Sequence, residues 1–89
     1  MFIDPFDSAG DSLIAPAKDA FAIVPSDNND IAKGTKAIYV GSGGDITARL
    51  VNSDQDVIFR NVEAGSIIAL RLRAVRAGGT TASDLIGLA

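Results

Sequence analysis

The stretch that decides the fold is residues 66–76, SIIALRLRAVR, the longest regularly patterned run in the chain. A β-strand over this stretch places two sets of side chains on opposite faces: Ile68, Leu70, Leu72 and Ala74 on one, Arg71 and Arg73 on the other. Alanine, leucine and arginine also favour helices, so a helix is the alternative. The two-residue alternation from Ile68 to Arg73 favours the strand.

Five further segments on either side of this run have the composition of short strands. They are residues 21–24, 36–40, 46–51, 57–62 and 85–88, and turn-forming residues separate them at 26–35, 41–45, 52–56, 63–65 and 78–79. The glycine-rich residues 41–45 (GSGGD) predict a hairpin turn that uses positive φ angles. The predicted fold is therefore all-β, a small antiparallel β-sandwich or jelly-roll-like barrel of five or six short strands.

The first 20 residues have neither a helical nor a strand period, and we predict an extended N-terminal arm over residues 1–20 followed by a single β domain over 21–89. The arm is acidic but contains five large apolar residues, Phe2, Ile3, Phe6, Leu13 and Ile14. A freely solvated tail would rarely carry so many. Two interpretations stay open: the arm packs on its own domain, or it docks on another subunit. We take these five residues as a candidate assembly interface.

Composition excludes most enzyme classes. The 89 residues include no cysteine and no histidine, so disulfides, the usual zinc sites and histidine-based catalysis are absent. The net charge of −3 argues against nucleic acid as a partner, and no apolar stretch approaches the roughly 20 residues that span a membrane. We therefore predict no enzymatic activity, no cofactor and no metal. So small a domain gains stability most readily by oligomerisation.

Three constellations resemble functional sites but have simpler interpretations. The loop at 41–45 lacks the third glycine and the lysine of nucleotide-binding loops. Residues 27–30 (DNND) lack the glycine and glutamate of a calcium loop, and a turn is favoured, with an irregular oxygen-ligand ion site as the alternative. Asp54, Asp56 and Glu63 lie in polar turns, with nothing apolar nearby to raise a carboxyl pKa for hydrolysis.

Five arginines can form a basic stripe on one sheet face, namely Arg49, Arg60, Arg71, Arg73 and Arg76. One interpretation is an interface that recognises an acidic surface such as the arm of a neighbouring copy. The other is the solvated outer face of a half-buried sheet. Arg71 and Arg73 are added to the candidate assembly interface on the first interpretation.

A series of short stretches, read in order, resembles the head-spike base proteins of gene transfer agents and related tailed phages. They are residues 4–6 (DPF), 24–27 (VPSD), 36–41 (KAIYVG), 44–46 (GDI), 57–62 with 64–65 (VIFRNV, AG), 70–73 (LRLR) with Val75, 79–82 (GTTA) and 85–88 (LIGL). The resemblance extends over nearly the whole chain, and the order of the stretches carries it.

The resemblance implies a virion structural protein, the base of a head spike. Such a base is expected to form a homo-oligomeric ring, a pentamer, on a capsid vertex, where it contacts the capsid protein below and holds a spike or fibre protein above. It implies a location on the head surface of the virion after synthesis in the bacterial host cytoplasm. The alternatives are a receptor- or carbohydrate-binding module displayed on a virion, or another small head or tail structural protein.

Overall fold

The computed structural model describes residues 16–89, and within them the chain forms seven strands and no helix. The strands are β1 Ala20–Ala22, β2 Ala37–Ser42, β3 Gly44–Leu50, β4 Val57–Val62, β5 Ile67–Ile68, β6 Leu72–Val75 and β7 Ser83–Leu88. All pairings between them are antiparallel. The all-β prediction is confirmed, and the helical alternative for residues 66–76 is wrong.

The strands form two sheets that enclose one core. The four-stranded sheet has the order β1-β7-β2-β5 and the three-stranded sheet the order β4-β3-β6. Ile38 and Val40 of β2 meet Ile46 of β3 and Leu72 and Val75 of β6 in this core, and all five side chains are almost completely buried. Burial of each contributes about 1.5–3 kcal/mol, so these residues hold the two sheets together.

The stretch 66–76 is two strands and not one, which corrects the prediction. β5 lies at the edge of the four-stranded sheet and β6 at the edge of the three-stranded sheet, so residues 69–71 carry the chain from one sheet to the other. The fully buried Thr35 fixes this corner. Its hydroxyl donates a hydrogen bond to the Leu70 carbonyl at 2.7 Å and accepts one from the Leu72 amide at 3.0 Å.

The glycine-rich residues 41–45 also form a passage between sheets, not the predicted hairpin. β2 ends at Ser42 in the four-stranded sheet, and β3 begins at Gly44 in the other. A Cβ atom on Gly43 would lie 2.6 Å from the Val62 carbonyl oxygen, and Gly44 has a φ of 152°. Glycine is needed here because backbones approach closely and the φ angle is one that other residues rarely adopt.

Residues 16–19 lie against the end of β7 before the chain enters β1. The amides of Lys18 and Asp19 donate hydrogen bonds to the Ala89 carbonyl at 2.6 and 2.9 Å, and the Ala89 amide donates one to the Asp19 carbonyl at 2.8 Å. The Asp19 carboxylate forms an ion pair with Lys33. The lysine's hydrogen bond, with its charge, holds the pKa of Asp19 below its ordinary value of 3.8. The predicted boundary between arm and domain stays a prediction.

Candidate assembly surface

The outer side of the four-stranded sheet carries a row of apolar side chains that crosses all four strands. The strand register aligns Ala22 with Ile86, Ile86 with Tyr39, and Tyr39 with Ile67. Side chains alternate between the two faces of a strand, and Ile38, Val40 and Leu85 are buried in the core. The row must therefore point away from the core. Tyr39 and Ile67 are 39% and 65% exposed.

A second apolar row lies two residues along the same strands. It aligns Ala20, Leu88 and Ala37, which share the outer side with the first row because they are separated from it by one residue in each strand. We call the two rows together the apolar face, which comprises Ala20, Ala22, Ala37, Tyr39, Ile67, Ile86 and Leu88. The outer side of an antiparallel sheet is commonly polar. Here the Tyr39 hydroxyl is the only polar side-chain group among the seven.

Polar residues limit the apolar face at both ends. At one end, Lys36 precedes Ala37, and its ammonium donates a hydrogen bond to the Pro16 carbonyl at 3.2 Å, while Lys18 precedes β1. At the other end is Asp84, which has a positive φ of 55°. A Cβ atom on Gly41 would lie 2.6 Å from the Asp84 Cβ. The apolar face is thus a bounded patch and not an extended apolar sheet.

The three-stranded sheet is organised differently, because residues 76–82 of the same chain lie beside β3 beyond the end of β6 and bond to its backbone. Thr80 donates from its hydroxyl to the Arg76 carbonyl at 2.6 Å and accepts from the Thr47 amide at 3.0 Å. The Thr81 hydroxyl accepts from the Asp45 amide at 2.8 Å. A Cβ atom on Gly79 would lie 2.6 Å from the Thr47 hydroxyl and 4.0 Å from Ile58 Cδ1, so Gly79 approaches the outer side of this sheet closely.

Arginines of the predicted basic stripe form ion pairs with aspartates of the same chain. Arg49 and Arg76 both donate to one Asp56 oxygen, at 3.0 and 3.3 Å, and Arg60 donates to Asp45 at 3.1 Å. Asp56 therefore serves as a counter-ion, in contrast to the hydrolytic carboxylate considered from sequence. The pair of Arg60 with Asp45 is exposed and contributes at most about 1 kcal/mol, and together the three pairs neutralise this surface.

The two arginines of the candidate interface lie near the corner between the sheets. Arg73 donates from Nε to Asp30 at 2.9 Å, and its side chain is 43% exposed. Arg71 is partly buried, and its carbonyl accepts a hydrogen bond from the Val51 amide at 3.1 Å. The other members of the candidate interface, Phe2, Ile3, Phe6, Leu13 and Ile14, lie outside the described residues. Their role in assembly stays a prediction.

Residues 27–30, the loop that resembled an ion site, lie against the guanidinium group of Arg76. The Arg76 guanidinium, whose side chain is only 12% exposed, lies 3.4–3.5 Å from the carbonyl oxygens of Ser26, Asp27 and Asn29. The Asp27 carboxylate accepts a hydrogen bond from the Gly78 amide at 2.9 Å. The arginine therefore supplies positive charge where a bound ion would. Among residues 16–89, no group of three carboxylates, histidines or cysteines has a geometry that could hold a metal.

Sequence reasoning missed the apolar face, although the sequence contains a signal for it. Residues 37–40 (AIYV) and 85–88 (LIGL) have no charged residue on either side of the strand. Such runs are typical of strands that are covered on both faces. The described part of the chain also contains no helix that is long and apolar enough to cross a membrane.

The comparisons with known proteins identify a similar solved structure over nearly the whole chain. No known family profile matches the chain, and no curated protein sequence is similar to it. Among solved structures, a chain from the capsid of a native gene transfer agent (GTA) particle, computed with C5 symmetry, is 34% identical to this one. The match covers 98% of this chain and 100% of that chain, with a TM-score of 0.80.

Proposed function

Because the chain belongs to the family of GTA capsid structural proteins, we propose that this virion protein is the base of a head spike. In this proposal several copies form a ring on a vertex of the capsid. The ring contacts the capsid protein on one side and anchors a spike or fibre protein on the other. Its role is mechanical, and it requires no catalytic group, cofactor or metal.

The observation that carries the proposal is the apolar face on a domain that aligns over its whole length with a GTA capsid chain. Seven residues in two rows leave Tyr39 and Ile67 in contact with water in an isolated copy. Exposed apolar patches bounded by polar residues are typical of protein–protein contact sites. A domain of this size is only marginally stable alone, so burial of this face between copies would stabilise it.

Fivefold symmetry supports the ring. The similar chain comes from a capsid computed with C5 symmetry. A closed ring of identical copies needs a head-to-tail contact, in which one surface of each copy meets a different surface of the next. Five copies around a vertex would repeat one such contact five times, and a ring of that kind matches the symmetry of an icosahedral vertex.

Location in the intact particle tests the proposal. A reconstruction of particles produced with this gene, compared with particles from a deletion strain, is expected to lose ring density at the vertices together with the spike above it. A capsid that keeps both features, with the missing density on the tail, would contradict the head-spike assignment. Light scattering of the purified chain adds an independent measurement, and a defined oligomer is expected.

A further inference from the structure

We propose that the apolar face of one copy receives residues 1–15 of the neighbouring copy, so that exchanged N-terminal segments close the ring. This inference rests on the ring of the proposed function and specifies the contact that forms it. The receiving surface is the outer side of the four-stranded sheet, and the arginine stripe is not part of it.

The size of the apolar face favours a peptide segment over a whole second domain. Four strands spaced about 4.8 Å apart and two rows of side chains cover on the order of 300 Å². A stable contact between two globular partners buries about 800 Å² on each. A face-to-face pair of these patches would fall well short of that area. An extended strand laid across the patch fits its dimensions, and further contacts along the segment add to the area.

The chemistry of the N-terminal segment complements the apolar face. Its phenylalanine, isoleucine and leucine residues are Phe2, Ile3, Phe6, Leu13 and Ile14, and its charged side chains are all acidic, Asp4, Asp7 and Asp11. The apolar face has no charged member, and two lysines, Lys18 and Lys36, precede its strands β1 and β2. Phenylalanine and isoleucine side chains can therefore cover the rows while the carboxylates lie near the lysine end.

The length of residues 1–15 and the symmetry of a ring both favour docking of this segment on a neighbouring copy. Fifteen extended residues span about 50 Å, and the longest dimension of the domain is 34 Å. The segment leaves the domain at a fixed point, because Pro16 is bound by Lys36 and residues 18–19 by Ala89. Docking on the same copy would cover the apolar face without joining any neighbour. Docking on the next copy pairs two different surfaces, as a head-to-tail ring requires.

Disulfide trapping tests the exchange, and the chain suits it because it has no native cysteine. One variant carries Asp7→Cys, which keeps every apolar residue of the segment, and the other carries Ile67→Cys on the apolar face. The two variants are mixed, allowed to assemble and oxidised. The matched control replaces Ile67→Cys with Ile58→Cys, because Ile58 is also exposed (43%) but lies on the other sheet. Light scattering of each mixture gives the oligomer mass independently.

We expect a disulfide-linked dimer from the Asp7→Cys and Ile67→Cys mixture, formed at least tenfold faster than in the Ile58→Cys control. An oligomer of the expected mass with no such preference would overturn the exchange and leave the ring standing. A double variant with both Asp7→Cys and Ile67→Cys that forms only a disulfide within one chain would also overturn it. Absence of any oligomer on the particle or in solution would instead remove the ring itself.

Discussion

The two sheets of this domain differ in how their outer sides are covered. Residues 79–82 bond to the backbone of β3 in the three-stranded sheet, and four arginines in or next to that sheet are paired with aspartates of the same chain. The four-stranded sheet has the apolar face, with no charged member and with Ile67 65% exposed. The outer side of the first sheet is mainly ion-paired but leaves Ile58 43% exposed, whereas the outer side of the second is uncharged and apolar. We therefore propose that assembly uses the four-stranded side of the sandwich.

The sharpest test of this difference uses two isoleucines, one on the outer side of each sheet. Ile67→Lys places a charge in the apolar face, and Ile58→Lys places the same charge on the three-stranded sheet, where Ile58 is 43% exposed. We expect Ile67→Lys to weaken the oligomer roughly a thousandfold, about 4 kcal/mol, because an ammonium ion would be buried in an apolar contact. Ile58→Lys should leave the oligomer unchanged.

Sedimentation over a range of concentrations measures both variants, and thermal unfolding confirms that each is folded. Both sites are exposed, so neither substitution should lower the free energy of unfolding of the monomer by more than about 0.5 kcal/mol. Equal weakening of assembly by the two variants would contradict the proposed asymmetry between the sheets.

The corner between the sheets gives the next largest effect. Thr35→Val keeps the shape of the side chain but removes the hydroxyl that bonds the Leu70 carbonyl and the Leu72 amide. Two buried backbone groups then lack partners, and we expect a loss of about 3 kcal/mol in the free energy of unfolding, measured in urea. Thr35→Ser keeps both hydrogen bonds and loses one methyl group, so it should cost about 1 kcal/mol. A serine variant as unstable as the valine variant would assign the effect to packing.

A third prediction concerns the inner side of the four-stranded sheet. Gly87 lies beneath the Phe21 ring, and a Cβ atom there would be 2.6 Å from Phe21 Cζ and 2.8 Å from Cε2. Gly87→Ala should therefore displace β1 and cost about 2 kcal/mol in stability. The double variant with Phe21→Leu has more room and should lose less than the sum of the two single variants. Strict additivity would show that the ring and the glycine do not interact.

The smallest effect concerns the ion pair that precedes β1. The pKa of Asp19 is lowered by the hydrogen bond and charge of Lys33. A lowered pKa contributes stability that is present above the ordinary value of 3.8 and is lost as pH falls through the lower folded-state value. Wild type should melt slightly above Lys33→Ala at neutral pH, and the two should coincide in strong acid. A difference that stays constant down to strong acid would exclude this carboxylate as its source.

Local pattern predicted the strands well and predicted their partners poorly. Ile68, Leu70 and Leu72 pack in or against the core as the alternation predicted, but Val75 and not Ala74 continues this side. The strand at 57–62 has its predicted limits. The division of residues 66–76 depends on Thr35, more than 30 positions away, and no local period contains that information. For the same reason, the passage at Gly43 was predicted as a hairpin. A glycine-rich turn does not specify which sheet the next strand joins.

For the assembly surface too, the sequence indicated single residues and short runs, but not the residues from distant parts of the chain that lie beside them. Charge counting identified the arginines, but the aspartates that pair with Arg49, Arg60 and Arg73 lie 7 to 43 positions away in the sequence. The apolar face forms only when β7 lies beside β1 and β2, which brings together residues from both ends of the described chain. The sequence signal for it was the two uncharged runs at residues 37–40 and 85–88, which indicate one shared surface only once the strand order is known.

The pairing of β1 with β7 also determines when the four-stranded sheet can be completed during translation. The first strand of the domain has no hydrogen-bonding neighbour until residues 83–88 have left the ribosome, whereas β3 and β4 form a hairpin as soon as both exist. The apolar face is therefore assembled last, when β7 joins the strands on either side of it. Before that point a nascent chain would have only the part of this surface that β2 and β5 form, so the complete surface would be absent from unfinished copies.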